Sequence, residues 1–146
     1  QSPLPNPFFV NSTETITIRV NNNTTQTIGT PCFDEIILQF IVDDLPEAFA
    51  ISSNLTAICD EEINPVDQNG LHDFDTSTFQ STLLGGQTGV NVYYFDQNNN
   101  PLPSPLANPF TTGNQDVSVV VENPINTNCK AQLTIPFVVN PTPKIF

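Results

Sequence analysis

The run DVSVVVENP, residues 116–124, decides the fold class because apolar residues stand at every second position, Val117, Val119 and Val121. Alternation with period 2 is typical of a strand that buries one face. The same pattern occurs earlier as ETITIRVNN, residues 14–22, with Ile16 falling on Val117 at an offset of 117 − 16 = 101. The chain therefore carries two copies of one strand.

The repeat extends on both sides of this strand. LPNPF, residues 4–8, precedes the first copy and LANPF, residues 106–110, precedes the second. CFDEIILQFIVDDLP, residues 32–46, matches CKAQLTIPFVVNPTP, residues 129–143, at an offset of 129 − 32 = 97. The four-residue difference falls in the polar loop 22–31, where insertions cost little.

The repeating unit has about 100 residues, the usual size of a single immunoglobulin-like β-sandwich. We therefore predict that residues 1–45 are the C-terminal part of a truncated repeat and that residues 46–146 are one complete repeat. On this interpretation the chain is a window on a longer tandem array, and its first 45 residues need strands from elsewhere to bury one face.

The composition favours an all-β, extracellular protein. Asn and Thr together make up 18 + 17 = 35 of the 146 residues, Pro another 14, and Lys and Arg only three. Long amphipathic helices with paired charges are hard to build from such a chain. Eleven Phe and a hydrophobic content of 38% can still form a core, which argues against disorder.

One segment departs from the strand pattern. DTSTFQSTLLGG, residues 75–86, begins with capping residues, places Phe79, Leu83 and Leu84 on one face and ends at a Gly pair. These features predict one short helix that connects strands across the sandwich. No run of eighteen apolar residues is present, so we expect no membrane insertion.

The net charge of −12 excludes a nucleic-acid interface, because phosphate binding requires a basic surface. We also expect no enzyme. His72 is the only histidine, and no nucleophile lies in a strained turn. The segment GGQTG, residues 85–89, lacks the Lys-Ser/Thr of a phosphate loop. Divalent cations and other positively charged partners remain compatible with the charge.

Three cysteines leave one unpaired within the chain. Cys59 opens the complete repeat and Cys129 precedes its last strand, so we predict a disulfide between them. Cys32 corresponds to Cys129, and its own partner would lie ahead of the first residue. The alternative pairing joins Cys32 to Cys59 across the boundary between the repeats.

The chain resembles a known family of repeats. The segments that carry the resemblance are CDEEINPVDQNGLHDFDTSTFQSTLLGGQTGVNVYYFD (59–96), PLPSPLANPF (101–110), VSVVVEN (117–123) and FVVNPTP (137–143). They are similar to the immunoglobulin-like repeat of very large Bacteroidota cell-surface proteins that the type IX secretion system exports, including gliding-motility adhesins. The resemblance implies an immunoglobulin-like repeat in a cell-surface protein such as an adhesin, and it does not imply a catalytic activity.

The acidic loop after Cys59 is the candidate metal site. Asp60, Asp67, Asn69 and Asp75 offer hard oxygen ligands, and the Asp-x-Asn-Gly order at 67–70 resembles a compressed calcium loop. The terminal bidentate Glu of that loop is missing. An ordinary solvated turn with Asx caps is the alternative, and His72 beside it is expected to be a surface hydrogen-bonding group.

Two non-catalytic functions fit the sequence. In the first, the repeats are spacers in a stalk or filament. The junctions at 43–49 and 140–146 contain Pro, which limits bending between neighbouring repeats. The partners would be neighbouring repeats of the same chain, or copies of the chain in a fibre. In the second, each repeat binds a surface glycan. Tyr93, Tyr94 and Phe95 alternate across a strand, so one face of this trio would bind sugar and the other would be core.

Overall fold

The computed structural model describes residues 3–22, 32–62, 64 and 66–143. The chain divides into two compact units, Gln1–Asp43 and Asp44–Phe146, here called unit 1 and unit 2. This boundary lies two residues before the one predicted from the repeat.

Unit 1 is built on a single antiparallel hairpin. Strand β1 (Glu14–Asn21) pairs with β2 (Phe33–Phe40) along its whole length, from Glu14 opposite Phe40 to Asn21 opposite Phe33. The ring of Phe8 packs against that of Phe40, with centroids 5.3 Å apart. The Arg19 guanidinium binds Glu35 across the strands at 2.6 Å and lies over the Phe33 ring.

Unit 2 contains a five-stranded sheet. Its strands are β3 (Ala57–Cys59), β5 (Asn91–Phe95), β6 (Pro101–Leu102), β8 (Gln115–Glu122) and β9 (Lys130–Asn140). They lie in the order β3-β9-β8-β5-β6. The edge strand β3 runs parallel to β9, whereas every other pair in this sheet is antiparallel. A short 3₁₀ turn over Ser53–Leu55 leads into β3.

A second, smaller layer covers one face of this sheet. It consists of the two-stranded ladder β4 (His72–Phe74) with β7 (Phe110–Thr112), and helix α1 (Phe79–Leu84). The Phe137 ring of β9 joins the layers, because it contacts a ring from each of these three elements. Its centroid distances are 4.8 Å to Phe74, 5.2 Å to Phe110 and 6.1 Å to Phe79.

The core of unit 2 follows from strict alternation along the strands. Val117, Val119 and Val121 of β8 are completely buried, and their neighbours in the sequence are more exposed. Burying three valine side chains contributes about 5 kcal/mol to the free energy of folding before entropy is counted. The remaining core residues are Phe74, Phe79, Leu83, Val92, Tyr94, Leu106, Ile135, Phe137 and Val139.

The two units share their hairpin residue for residue. Ile16 lies opposite Leu38 in unit 1, and their counterparts Val117 and Ile135 lie opposite each other in unit 2. Phe8 on Phe40 has its counterpart in Phe110 on Phe137, with centroids 5.2 Å apart. The hairpin within the predicted repeat therefore recurs in the structure of both units.

The same positions differ in exposure between the units. Val119 and Val121 are buried in unit 2, whereas their counterparts Ile18 and Val20 are 39% and 68% exposed in unit 1. The described residues of unit 1 include no counterpart of β4 or α1, which cover this face in unit 2, or of β5, which extends the sheet beside β8. The exposed apolar face of the hairpin follows from that difference.

The short helix predicted between residues 75 and 86 is present as α1. It spans Phe79–Leu84 within the predicted segment 75–86, and it buries Phe79 and Leu83 while Leu84 packs against the core. Gly85 ends it in the left-handed conformation, with φ of 56°. An all-β fold with one short α-helix is therefore confirmed for the described residues, none of whose helices is long and apolar enough to cross a membrane.

Gly85 is also a point of close approach. The backbone N–H of Phe49 donates to the carbonyl of Leu83 at 2.9 Å, which holds the Phe49 ring over the helix end. A Cβ on Gly85 would lie 2.5 Å from that ring. Gly86 also has a positive φ, of 94°, but a Cβ there meets no atom within 4 Å.

We predict that Gly85→Ala lowers the free energy of unfolding by more than Gly86→Ala does. Both variants carry the penalty of a side chain at positive φ, about 1–2 kcal/mol. Only Gly85→Ala must also displace Phe49. Urea denaturation of the two variants checks this, and equal losses would contradict the role given to Phe49.

Candidate functional site

Cys59 lies at one end of unit 2, fixed there by the pairing of β3 with β9. The parallel register sets Cys59 opposite Asn140, the last residue of β9. The next residue continues the contact, since the Asp60 N–H donates to the Asn140 carbonyl at 2.8 Å. The Cys59 thiol is therefore exposed beside the point at which the chain leaves the sheet. We call this the trailing end of the unit.

Cys129 lies at the opposite end, directly before the first residue of β9. The backbone N–H of Asn123 donates to the Cys129 carbonyl at 2.9 Å, and the Asn123 side-chain amide donates to the Asp44 carbonyl at 3.4 Å. Asp44 is the first residue of unit 2. The end that holds Cys129 is therefore also the one at which the chain enters the unit, and we call it the leading end.

The predicted Cys59–Cys129 disulfide is not formed, and the sheet register gives the reason. Cys59 is level with residue 140, and 140 − 129 = 11 residues of strand separate that level from Cys129. At 3.3 Å per residue this is about 36 Å. A disulfide requires Cα atoms within about 7 Å. The order of the cysteines along the chain, on which the predicted pairing rests, carries no information about the direction of β3 next to β9.

Cys32 occupies in unit 1 the position that Cys129 occupies in unit 2. The backbone N–H of Asn22 donates to the Cys32 carbonyl at 2.9 Å, which repeats the Asn123–Cys129 bond at the same distance. Both cysteines thus directly precede the second strand of the repeated hairpin. All three cysteines have free thiols, so the alternative Cys32–Cys59 bond is also not formed.

Asp60 is a buried carboxylate with backbone partners. It is 4% exposed, and its two oxygens accept the Gly70 N–H at 2.8 Å and the Glu62 N–H at 3.4 Å. Its own carbonyl accepts the Thr142 hydroxyl at 2.7 Å. Asp60 therefore closes the acidic loop onto the segment that follows β9.

The other three predicted metal ligands do not join Asp60 around one point. Asp67 accepts the Asn64 side-chain amide at 2.9 Å, and Asn69 accepts the Leu71 N–H at 2.7 Å, as Asx turns do. Asp75 lies before α1, where the Ser77 hydroxyl and backbone N–H lower the pKa of its carboxyl. The described residues contain no group of three or more His, Cys, Asp and Glu side chains that could hold a metal ion. Calcium binding stays a prediction.

Glu61 and Glu62, in the same loop, form contacts that were not predicted from the sequence. Glu62 accepts the Asn69 side-chain amide at 3.2 Å through one oxygen, while its other oxygen is buried without a hydrogen bond. Glu61 lies 3.5 Å from the Nδ1 atom of His72, whose ring packs edge-on against Phe74. Glu61 and Glu62 are adjacent acidic residues in a loop, and no sequence pattern there predicts that one contacts His72 and the other Asn69.

Two of the three aromatic residues considered for sugar binding, Tyr93 and Phe95, lie on the outer face of the five-stranded sheet. Tyr94 points into the core, where burial raises the pKa of its phenol to about 12. Tyr93 is 41% exposed and Phe95 is half-buried on the opposite face, so the predicted division of the trio is confirmed. Phe95 lines an open groove of about 530 Å³ together with Asn99, Ser118, Val120, Gln132 and Thr134.

Comparison with known families adds one finding. A family model described as Flavobacterium inter-domain disulphide bond domain matches residues 54–143, well over half of the chain. The matched segment contains β3 to β9 and therefore both Cys59 and Cys129. Comparisons with curated proteins and with solved structures give no match.

We predict that Asp60→Ala lowers the free energy of unfolding by about 1–3 kcal/mol, because the Gly70 N–H loses its carboxylate acceptor. Asp67→Ala is the matched control in the same loop. Its side chain is exposed, so its effect should stay within about 0.5 kcal/mol. Chemical denaturation of both variants measures this. Equal losses would contradict the structural role given to Asp60.

The same proteins test the calcium prediction. A site in this loop would raise the melting temperature of the wild-type chain in millimolar calcium relative to EDTA, by mass action on the folded state. The Asp67→Ala variant should lose that shift while it keeps its stability in EDTA. Identical melting curves with and without calcium would overturn the prediction.

Proposed function

The chain belongs to the family of Flavobacterium inter-domain disulphide bond domains, and from this premise we propose that it is a structural module of a larger extracellular protein. In this proposal its units are immunoglobulin-like repeats that act as spacers in a stalk or filament. Disulfides between successive units strengthen the array. The module itself carries no catalytic activity.

The observation that carries this proposal is the repeated hairpin. The register of β1 with β2 and that of β8 with β9 agree at every equivalent position, and the Phe contact and the Asn–Cys hydrogen bond recur with them. A chain that uses one unit more than once in tandem is typical of proteins that need length rather than a single active site. The repeat therefore supports a spacer.

The polar groups of unit 2 support a structural role as well. Asp60 and Thr76 are buried, and hydrogen bonds to the backbone engage both: Thr76 donates its hydroxyl to the Ala107 carbonyl at 2.8 Å. Gln87 bridges the Glu47 backbone, accepting its N–H at 2.8 Å and donating to its carbonyl at 2.9 Å. These side chains connect loop segments of unit 2 to one another.

An extracellular location is part of the proposal. Disulfides persist in oxidising compartments and are rare in the cytosol, and the family is described by its disulphide. The resemblance to repeats of gliding-motility adhesins extends the proposal to the bacterial cell surface and to export by the type IX secretion system. A charge of −12 on 146 residues is compatible with solubility outside the cell.

Glycan binding is the second candidate function. It is favoured by the groove beside Phe95, where an aromatic ring and the polar side chains of Ser118, Gln132 and Thr134 face solvent together. Aromatic rings with adjacent hydrogen-bonding groups are the usual elements of a sugar site. In this alternative the repeats themselves, rather than another part of the protein, would attach to surface glycans.

We predict that lengthening the array lengthens the particle. The test protein is the full chain with residues 44–140 duplicated in place, studied with all cysteines reduced. Because β9 has eleven residues, one extra unit should add about 35 Å to the maximum dimension measured by small-angle X-ray scattering. An unchanged maximum dimension would contradict the spacer.

A glycan array probed with the full chain separates the two candidates. The spacer predicts no binding by the wild-type chain. Binding that Phe95→Ala abolishes, and that Ile125→Ala on an exposed loop leaves intact, would favour the glycan module instead.

A further inference from the structure

Asn69 and Gly70 form the only Asn-Gly pair in the sequence. They lie in the acidic loop of unit 2, directly before β4, and both are exposed. Asparagine is a thermolabile residue, because the backbone nitrogen of the next residue can attack its Cγ atom and close a succinimide ring. Glycine in the next position favours this attack, since it has no Cβ to shield its nitrogen.

The nitrogen that would attack has a base beside it. The backbone N–H of Gly70 donates to Oδ2 of Asp60 at 2.8 Å. Asp60 is 4% exposed, and its other oxygen accepts the Glu62 N–H at 3.4 Å, so the carboxylate is held in place. A carboxylate positioned in this way can take the proton of the nitrogen as the nitrogen forms its bond to carbon.

The amide that would be attacked is held from two sides. Oδ1 of Asn69 accepts the Leu71 N–H at 2.7 Å, and this donor stabilises the negative charge that develops on the oxygen during attack. Nδ2 of Asn69 donates to Oε1 of Glu62 at 3.2 Å, which fixes the orientation of the amide. Oε2 of Glu62 is buried and has no hydrogen-bond partner among the described residues, so it is available to accept from departing ammonia.

Water has access to the same atoms. Asn69, Glu62 and Leu71 all line an open pocket of about 200 Å³. A water molecule occupies about 30 Å³ in the liquid, so the pocket has room for several. Opening of a succinimide ring consumes one water molecule. The pocket also provides a path by which ammonia leaves the loop.

We propose that the acidic loop modifies itself: Asn69 cyclises onto the Gly70 nitrogen and becomes isoaspartate or aspartate, and the fold accelerates this reaction. The bond between the Gly70 nitrogen and Cγ forms, the Cγ–Nδ2 bond breaks, and the side-chain nitrogen leaves as ammonia. Asp60 takes the Gly70 proton and releases it to solvent, while solvent supplies one proton to the ammonia.

Water then opens the ring at one of its two carbonyl carbons. Attack at Cγ restores the original main chain and leaves aspartate at position 69. Attack at the backbone carbonyl carbon breaks its bond to the Gly70 nitrogen, so that the main chain runs through Cγ as isoaspartate. Both products arise from one amide and one water molecule with loss of one ammonia, and no oxidant or other reactant is needed.

The modification changes the contacts that close the loop. A carboxylate replaces the amide that donates to Glu62, and its negative charge lies beside those of Glu62 and Asp60. Isoaspartate also makes the main chain one methylene longer directly before the Gly70 N–H that Asp60 accepts. The modified loop therefore loses one of these hydrogen bonds and weakens the other. This inference does not depend on the spacer proposal.

The test follows the conversion of Asn69 during incubation of the full chain at neutral pH in EDTA. Peptide mapping by mass spectrometry and labelling with a protein isoaspartate methyltransferase measure the products. The same chain unfolded in guanidinium chloride is the reference, because an Asn-Gly pair also cyclises without a fold. We expect the folded chain to react faster by about tenfold or more, since the fold orients the reacting groups. An equal or slower rate in the folded chain would overturn the proposal.

Variants identify the base and the position. Asp60→Asn keeps the shape of the side chain and removes the base, so it should slow the reaction of the folded chain by about 10²-fold. Asp67→Asn, whose side chain contacts Asn64 in the same loop, is the matched control and should react at the wild-type rate. Asn69→Gln, with its longer side chain, should show no conversion at position 69.

Two results from the variants would contradict the proposal. One is a folded Asp60→Asn chain that reacts at the wild-type rate, and the other is an equal slowing by Asp67→Asn. Circular dichroism establishes whether Asp60→Asn is folded. If it is not, the comparison of the wild-type chain in its folded and unfolded states still decides the outcome, because it requires no substitution.

Discussion

The register of β8 against β9 is the constraint on which the rest of unit 2 depends. It aligns Val117, Val119 and Val121 with Ile135 and Phe137 on one face of the sheet. A slip of one residue would turn this whole row of side chains to solvent. The face so formed receives Phe74, Phe79 and Phe110 around the Phe137 ring, and it thereby fixes the positions of β4, α1 and β7.

The elements with local signals could be predicted from the sequence. Alternation identified β1 and β8, and the Gly pair with Phe79 and Leu83 identified α1, because these patterns lie within one element. The position of β3 could not be predicted, since three residues carry no periodicity and their parallel pairing with β9 spans about 80 residues. The end of the sheet at which Cys59 lies therefore could not be predicted from the sequence. The same holds for the loop residue Asp60, whose buried bond to the Gly70 N–H depends on tertiary structure.

The ends of the unit connect its fold to its proposed role. Parallel pairing of β3 brings Cys59 to the trailing end, and Asn123 ties Cys129 to the leading end where Asp44 begins. In the proposed spacer, the eleven residues of β9 would set the distance between the two ends of each unit.

Independent folding of unit 2 tests this account most directly. Every core residue of the cluster around Phe137 lies within residues 44–146, so this segment expressed alone should unfold in one cooperative transition and give dispersed amide resonances. Hydrogen exchange should be slowest at the paired amides of β8 and β9, whose ladder runs along the centre of the sheet. A segment 44–146 that collapses without cooperative unfolding, or folds only when residues 1–43 are present, would contradict the self-contained unit.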